Sequence, residues 1–559
     1  GYSIAFVREG LSVVKQPVQG HPGGNVFVSL TAGLDFDPGT LFRDRGSLPA
    51  PTFPSKPTYP VIGDKFDGAI PSAFDPNLKT GYVQSWTFGV QRELSKDMVF
   101  EFRYVGDRGV KLTRRYSINE LNTTENGFAS EFVLAQQNLL ANRAAGRGNN
   151  FRYFGAGTGT SPLPILLGFF TGQGAAVRDP NLPGNYGSSG FANAGFITNL
   201  LPINNNVLAF ANTLSLAGGT SATTGDFFFN NGTAAGFPAN FFVANPDAML
   251  AGGATITDNG GHSWYDGITF ELRRRMAAGL LLQTSYTFSK SETDFFAASQ
   301  TATNNYLTLR NLKLSKRLSP FDIRHAYKLN WIYEFPFGHG KTFLAGTNGA
   351  VDRLLGGWEF HGTTRVQSGR AFRLGNVQLV GMTAKDLQHN LEVRKQPNGT
   401  VTFLPDDIIL NTRRAFNLSS TSATGYSTLG APTGRYIAPA GLNCLQRFAG
   451  ECGFSDLVLH GPRFVRIDMS VVKRIKFTEN TNLELRGEFL NAINNQNFFV
   501  GGTAAADVAQ LTTSTVLPAT TAYSGATFGQ LLTGSAYQDT STTNDPGGRV
   551  VQFVLRFNF

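Results

Sequence analysis

The sequence predicts an all-β chain whose antiparallel strands form a transmembrane barrel, and three observations carry that reading. Apolar and polar residues alternate with period two over unusually long segments. Three tight turns join pairs of these segments, with long polar stretches between the pairs. The composition is also unlike that of a soluble domain: only 16% of the 559 residues are charged, while Gly reaches 64 and Phe 48, against roughly 25% charged residues in a typical soluble domain.

The period-two segments have the same design throughout. Between Arg324 and Phe335, one face carries Tyr327, Leu329, Trp331, Tyr333 and Phe335, and the other Arg324, Lys328, Asn330 and Glu334. Met98, Phe100, Phe102 and Tyr104 alternate with Glu101 and Arg103, and Leu483, Leu485 and Phe489 with Glu484, Arg486 and Glu488. The chain closes on Val551, Phe553, Leu555, Phe557 and Phe559, alternating with Gln552, Arg556 and Asn558. These runs reach about 11–15 residues, whereas soluble strands usually have five or six. Length, alternation and aromatics towards the ends together describe strands with an apolar face to lipid and a polar face to a lumen. A helical membrane protein is excluded: the densest apolar run, Leu163 to Phe170, contains Pro164 and Gly168 and falls far short of the roughly 20 residues a spanning helix needs.

Eleven strands are predicted, near 1–9, 25–33, 82–94, 98–110, 262–276, 279–292, 324–335, 358–368, 463–477, 481–494 and 549–559. Ser95-Lys96-Asp97, Ala277-Ala278-Gly279 and Thr478 to Asn480 supply the tight turns. The segments 111–261, 369–462 and 495–548 are the long loops. Short turns face the periplasm and long loops the exterior in outer-membrane barrels. Alternating directions place all three turns, and the end of the last strand, in the periplasm. The same parity starts the first strand outside and gives an odd count, where a single-chain bacterial barrel has an even one. The chain is therefore expected to be the C-terminal portion of a larger barrel. The segment 111–261 is too long to be structureless: Phe128, Phe132, Val133, Gln136, Leu139 and Leu140 predict a short amphipathic helix near 128–143. Phe227-Phe228-Phe229 and Phe241-Phe242 are read as anchors packing this loop onto the barrel mouth, the alternative being an exposed ligand-contacting surface.

The net charge is +9, with Lys and Arg scattered along the chain. The tightest cluster, Arg273-Arg274-Arg275, lies inside an alternating strand, so no nucleic-acid partner is expected. Cys444 and Cys452, the only cysteines, lie eight positions apart in a Gly-rich stretch. They suit a small disulfide ring formed in an oxidising compartment, against the alternative of two independent thiols. Gly338-His339-Gly340-Lys341-Thr342 ends like a phosphate-binding loop, but Phe335 stands where its first Gly is required. No two of the seven His share the i, i+4 spacing of a helical zinc site. Neither a catalytic nor a metal or cofactor site is expected, and the chain is read as a non-enzyme.

Five segments carry a family resemblance: GYVQSWTFGVQREL (81–94), SWYDGITFELRRRMAAGLLLQTSYTFSKS (263–291), SPFDIRHAYKLNWIYEFPFGHGK (319–341), LLGGWEFHGTTRVQSGRAF (354–372) and GPRFVRIDMSVVKRIKFTENTNLELRGEFLNAINNQNF (461–498). The chain resembles the C-terminal barrel of TonB-dependent outer-membrane receptors of the Oar-like branch, whose members carry a carboxypeptidase-regulatory-like domain before a plug. Neither plug nor regulatory-like domain is found in this sequence. The resemblance implies a receptor or transporter in the outer membrane of a Gram-negative-type bacterium. It would move a large substrate, inward or outward, with energy delivered by TonB through the plug. The alternative is a surface receptor or adhesin that binds through its loops without transport. The partners implied are outer-membrane lipid, the missing N-terminal barrel and plug portion, TonB, the barrel-assembly machinery and a substrate of unknown identity. Glu101, Arg103, Lys328, Asn330, Glu334, Glu484, Arg486 and Glu488 are the candidate lumen-facing residues. Phe559 is the candidate assembly signal, because related outer-membrane proteins present a terminal aromatic to the assembly machinery; it would also serve as one more member of a periplasmic aromatic girdle.

Overall fold

The computed structural model describes residues 1–7, 72–215, 227–244, 246, 255–294, 308–319, 321–347, 349–369, 371–478, 481–498, 500, 523–524, 528–531 and 548–559. Its strands in chain order are β1 (Tyr2–Phe6), β2 (Ser72–Phe74), β3 (Tyr82–Ser95), β4 (Met98–Ser117), β5 (Thr255–Ala277), β6 (Leu280–Thr293), β7 (Arg317–Leu318), β8 (His325–Glu334), β9 (Trp358–Gln367), β10 (Ala371–Val380), β11 (Arg394–Lys395), β12 (Val401–Thr402), β13 (Tyr436–Pro439), β14 (Phe454–His460), β15 (Phe464–Lys476), β16 (Asn482–Leu490) and β17 (Val550–Asn558). One antiparallel sheet runs β1-β3-β4-β5-β6-β8-β9-β15-β16-β17, with β2 and β7 added at its upper rim. Its ten principal strands follow sequence order, as an up-and-down barrel wall requires.

Turn chemistry sets the register at the short-connection end. Ala278 and Gly279 both have positive φ, 48° and 78°, the backbone handedness that joins two twisted strands through a two-residue loop. A Cβ on Gly279 would also stand 2.8 Å from the carbonyl oxygen of Glu334 on the neighbouring strand.

β1 pairs directly with β3, Tyr2 opposite Trp86 and Phe6 opposite Tyr82. It therefore runs from the turn end towards the loop end, opposite to the direction expected from an eleven-strand alternation. The strand predicted near 25–33 lies outside the described residues. The alternation rule fixes the direction of a strand only when every strand before it is known, and here it was propagated through 25–33.

The stretches predicted as loops hold folded caps. β4 and β5 continue well beyond the apolar part of the sheet, so the connection between them begins only after Ser117. It contains α1 (Phe128–Ala144), α2 (Pro164–Thr171), α3 (Ala194–Leu200), α4 (Val207–Ser215) and α5 (Phe227–Ala234). Phe128, Phe132, Leu139, Phe151, Phe170, Phe191 and Phe210 are buried in its core. Phe242 is buried there and Phe228 packs against it, while Phe227 is exposed. α1 spans the predicted 128–143 almost residue for residue. The segment 369–462, predicted as loop, contains the three-stranded sheet β13-β10-β14. α7 (Ala384–His389) and α8 (Asp406–Phe416), numbered after α6 (Gly349–Leu355) in the β8–β9 connection, complete this second cap. Its core joins Phe372, Ile408, Phe416 and Ile437 to Tyr523 and Phe528 from the 495–548 stretch. β10 and β14 prolong the β9–β15 pair upwards, Ala371 opposite His460.

Candidate functional site

The site follows from two neighbouring rows that cross seven strands from β3 to β15. Val90, Phe102, Phe270, Tyr286, Tyr327, Val366 and Val465 stand in register on one face, and Gln91, Glu101, Glu271, Ser285, Lys328, Arg365 and Arg466 on the other. Successive side chains of a strand point to opposite faces, so a single register separates an apolar wall from a polar one. Phe88, Val90, Phe270, Tyr286, Phe288, Leu485, Phe553, Leu555 and Phe557 are all exposed on the apolar face. At the turn end, Trp331 lies across Gly362, where any Cβ would meet its ring. Towards the loop end, Trp86 donates Nε1–H to the Tyr104 hydroxyl at 3.3 Å, and that hydroxyl donates to Asp266 at 2.7 Å. Arg108 pairs with Asp266 at 3.2 Å and lies over the Trp86 ring, and Lys316 lies 4.4 Å from the Trp264 ring centre. Amphipathic aromatics with charged neighbours at both ends of an apolar band are the girdles of an outer-membrane barrel.

The opposite face is a lattice of ion pairs. Arg273 holds Glu271 through Nε at 2.5 Å and reaches Glu101 at 3.8 Å. Arg103 donates to Glu101 at 2.9 Å, and Gln283 donates to Glu271 at 3.0 Å. Across β9, β15 and β16, Arg474 bridges Glu359 and Glu484, the latter at 3.0 Å. Arg486 bridges Glu484 at 2.6 Å and Glu488 at 3.2 Å. His361 meets Glu359 at 2.8 Å, and Arg466 meets Asp468 at 3.0 Å. Each of these carboxylates is matched by a cationic side chain that the alternation delivers to the same face. Lys328 stands between Ser285 and Arg365 and has no acidic partner among the described residues. A concavity of about 390 Å³ opens on this face, lined by Asn330, His361, Thr363, Asp468, Ser470 and Glu488 among others.

The structure places Glu101, Arg103, Lys328, Asn330, Glu334, Glu484, Arg486 and Glu488 on this one polar face. Glu101 and Arg103 belong to the β4–β5 cluster, and Glu484, Arg486 and Glu488 to the β15–β16 cluster. Asn330 lines the concavity, and Glu334 sits at the turn end, where Lys341 reaches it at 2.9 Å. Glu271, Glu359, His361, Arg466, Asp468 and Arg474 are not among the residues the sequence offered for this face, and Arg273 entered only as part of a basic cluster. The signal for them was the same period-two alternation, present but not followed on β5, β9 and β15. Cys444 and Cys452 are joined, with sulfurs 1.99 Å apart, in the segment between β13 and β14. Next to the bridge, Leu445 packs on the first cap. Within the ring the Arg447 carbonyl accepts from the Thr123 hydroxyl at 3.2 Å, and before it the Gly441 carbonyl accepts from Asn205 at 3.0 Å. The disulfide thus lies at the junction of the two caps. Phe559 is fully exposed at the turn end, its ring 6.1 Å from that of Phe557.

The family described as "Outer membrane beta barrel domain" matches residues 1–552. The chain belongs to that family. Its location is therefore the outer membrane. No curated protein matches its sequence. Among solved structures, it is similar to the outer membrane transporter YddB from Escherichia coli, at 9% identity and a TM-score of 0.29, over 79% of this chain and 32% of that one. It is also similar to the pyoverdine outer membrane receptor FpvA from Pseudomonas aeruginosa PAO1, at 8% identity and a TM-score of 0.24, over 75% and 27% of the two chains. For the toluene transporter TodX of Pseudomonas putida the values are 9% and 0.14, over 73% and 55%. This barrel domain thus spans less than a third of the YddB and FpvA chains.

Proposed function

We propose that this barrel domain is part of an energy-coupled receptor of the TonB-dependent kind, in the Oar-like branch, serving transport of a large substrate. The observation that carries the reading is the polar wall: a continuous surface of paired charges across eight strands, from Glu101 on β4 to Arg556 on β17 opposite Glu484. Such a surface suits contact with water and with the polar groups of a plug, whereas a barrel sealed by its own side chains would fill with apolar ones. The five segments that carry the family resemblance fall on β3, the β5–β6 hairpin, β8, β9 and the β15–β16 hairpin, the lumen-forming elements of the sheet. In this reading the rest of the receptor supplies the plug and further strands, TonB acts through the plug, and catalysis has no part. The test is uptake into proteoliposomes holding the full-length receptor with an energised TonB system. Substrate entry that depends on TonB supports transport.

A second reading is favoured by the caps. Two extracellular units with their own hydrophobic cores, meeting beside a disulfide ring, make a binding surface suited to a receptor or adhesin without transport. Binding to the caps with no uptake under energised conditions would select this reading over the first.

A further inference from the structure

The β8–β9 connection, residues 335–357, differs from the three tight turns at the same end of the sheet. It is long and folded, and its apolar side chains are not gathered into a core. Phe337, Phe343, Leu344, Val351, Leu354 and Leu355 are all exposed, Leu354 to 70%. α6 lies within it, carrying the last three of these side chains.

Both ends of the connection adjoin the apolar face of the wall, while Lys341 reaches back to Glu334 on the polar one. Phe335 continues the apolar face of β8, its ring is stacked on Phe337 at 6.3 Å, and Phe337 meets Phe343 at 5.7 Å. At the other end, Trp358 opens β9 on the lipid face and donates its indole N–H to the Leu354 carbonyl at 3.1 Å. Lys473, in register with Trp358 on β15, is buried. It donates to the Gly356 carbonyl and lies over the Trp358 ring at 5.2 Å. Asp352 accepts from the His339 backbone N–H at 2.5 Å and its carbonyl from that of Gly356 at 2.8 Å. The segment is thus pinned by its polar groups and presents its apolar ones outwards, continuous with the aromatic girdle of the strands.

We propose that this connection is a membrane-surface anchor that lays its apolar side chains into the headgroup–acyl boundary of the periplasmic leaflet. The occupant is phospholipid, because these side chains adjoin the exposed apolar face of the strands, the face that an outer-membrane barrel turns to lipid. A single exposed Leu is unremarkable on a protein surface, but six large apolar side chains exposed in one short connection are a concentration of the kind that marks an interaction site. Short amphipathic segments bind membranes by burying such a face about 5–10 Å below the headgroups. The strands fix the wall across the membrane, and the anchor fixes its height and tilt at the inner edge.

The experiment uses the full-length receptor in bilayer nanodiscs, with nitroxide labels on Leu354→Cys and Leu344→Cys. Leu555→Cys on the lipid face and Thr421→Cys on the exposed second cap serve as references. The native cysteines are bridged and do not take label. Both anchor labels are expected to show a several-fold excess of oxygen over nickel-chelate collisions, as Leu555→Cys does. Nickel accessibility equal to that of Thr421→Cys would overturn the proposal, and so would protection from both reagents, which would mean that protein covers the patch. Unmodified receptor in vesicles with photoactivatable phospholipid provides a check free of substitutions. Cross-links on peptides from 336–357 are expected, and their absence while Phe553 peptides react would also defeat it.

Discussion

Glu131 lies under the first cap with its carboxylate aimed at the start of α2, accepting the backbone N–H groups of Ile165 at 2.8 Å and Leu166 at 2.7 Å. It thereby caps a helix whose own N-cap residue, Leu163, offers no side-chain acceptor. Burial pushes this carboxyl from its ordinary 4.5 up to about 7, while the two backbone hydrogen bonds and Arg178 oppose that rise. The folded cap therefore favours the protonated form. Its contribution is complete below about pH 4.5 and drains away as the pH rises through about 7, a loss on the order of 3 kcal/mol. Glu131→Gln should keep a neutral cap at every pH and flatten this dependence, read from protease resistance of 128–215 between pH 5 and 8. An unchanged slope in the variant would show that another group governs it. On the barrel wall, Leu329 and Asn330 are sequence neighbours on opposite faces. Leu329→Arg should cost about 2–4 kcal/mol near the bilayer midplane, and Asn330→Arg much less, in folding titrations into bilayers. Equal costs would contradict the face assignment.

At the scale of elements, the junction between the barrel and the second cap rests on a close approach of backbones. A Cβ at Gly369 would fall on the carbonyl oxygens of Gly461 and Pro462, well inside van der Waals contact, and neither oxygen can rotate away. Gly369→Ala should destabilise the second cap by about 1–3 kcal/mol through this overpacking. Hydrogen exchange should speed on β10 and β14 while β15 and β16 stay protected; equal protection would mean that the strands part without cost. Opening the Cys444–Cys452 ring should cost about 2.5 kcal/mol by the loop-entropy argument. It should loosen the contacts of Gly441 and Arg447 with the first cap, visible as earlier proteolysis of 441–453 under reductant. The strands were legible in the sequence because lipid and lumen impose opposite demands on alternate residues, as at Lys328 and Leu329. α1 was legible from its apolar spacing. The folding of 369–462 was not: β10 runs AFRLGNVQLV with neither face open to lipid, and its burial comes from α8 and Tyr523, which are remote in sequence. The β8–β9 connection was missed for a related reason. Its Leu354 and Leu355 obey no strand period, and their exposure is visible only once the wall beside them is built.

For the whole molecule, the described sheet has two edges, β1 and β17. β1 covers β3 only from Tyr82 to Trp86, leaving the stretch from Phe88 to Ser95 without a described neighbour on that side. Unpaired backbone groups in hydrocarbon cost several kcal/mol each, so in the full receptor these amides should exchange slowly because other strands cover them. Fast exchange there within an intact receptor would defeat the proposed larger barrel. Phe559 belongs to this scale as well: deleting it should cut assembly in cells more than it lowers the stability of the folded protein, followed by heat-modifiable gel migration beside in vitro unfolding. Unchanged assembly would leave it a girdle residue only. The long strands have one more result. β4 has 20 residues and β5 has 23, while crossing the hydrocarbon needs about 9–11. The remainder forms a stiff post that lifts the first cap about 20 Å clear of the lipid. In the proposed orientation, a particle arriving from outside meets this cap before it meets the wall. Its exposed residues take no part in the strand pairing of the wall, so substitutions there should leave the register beneath unchanged.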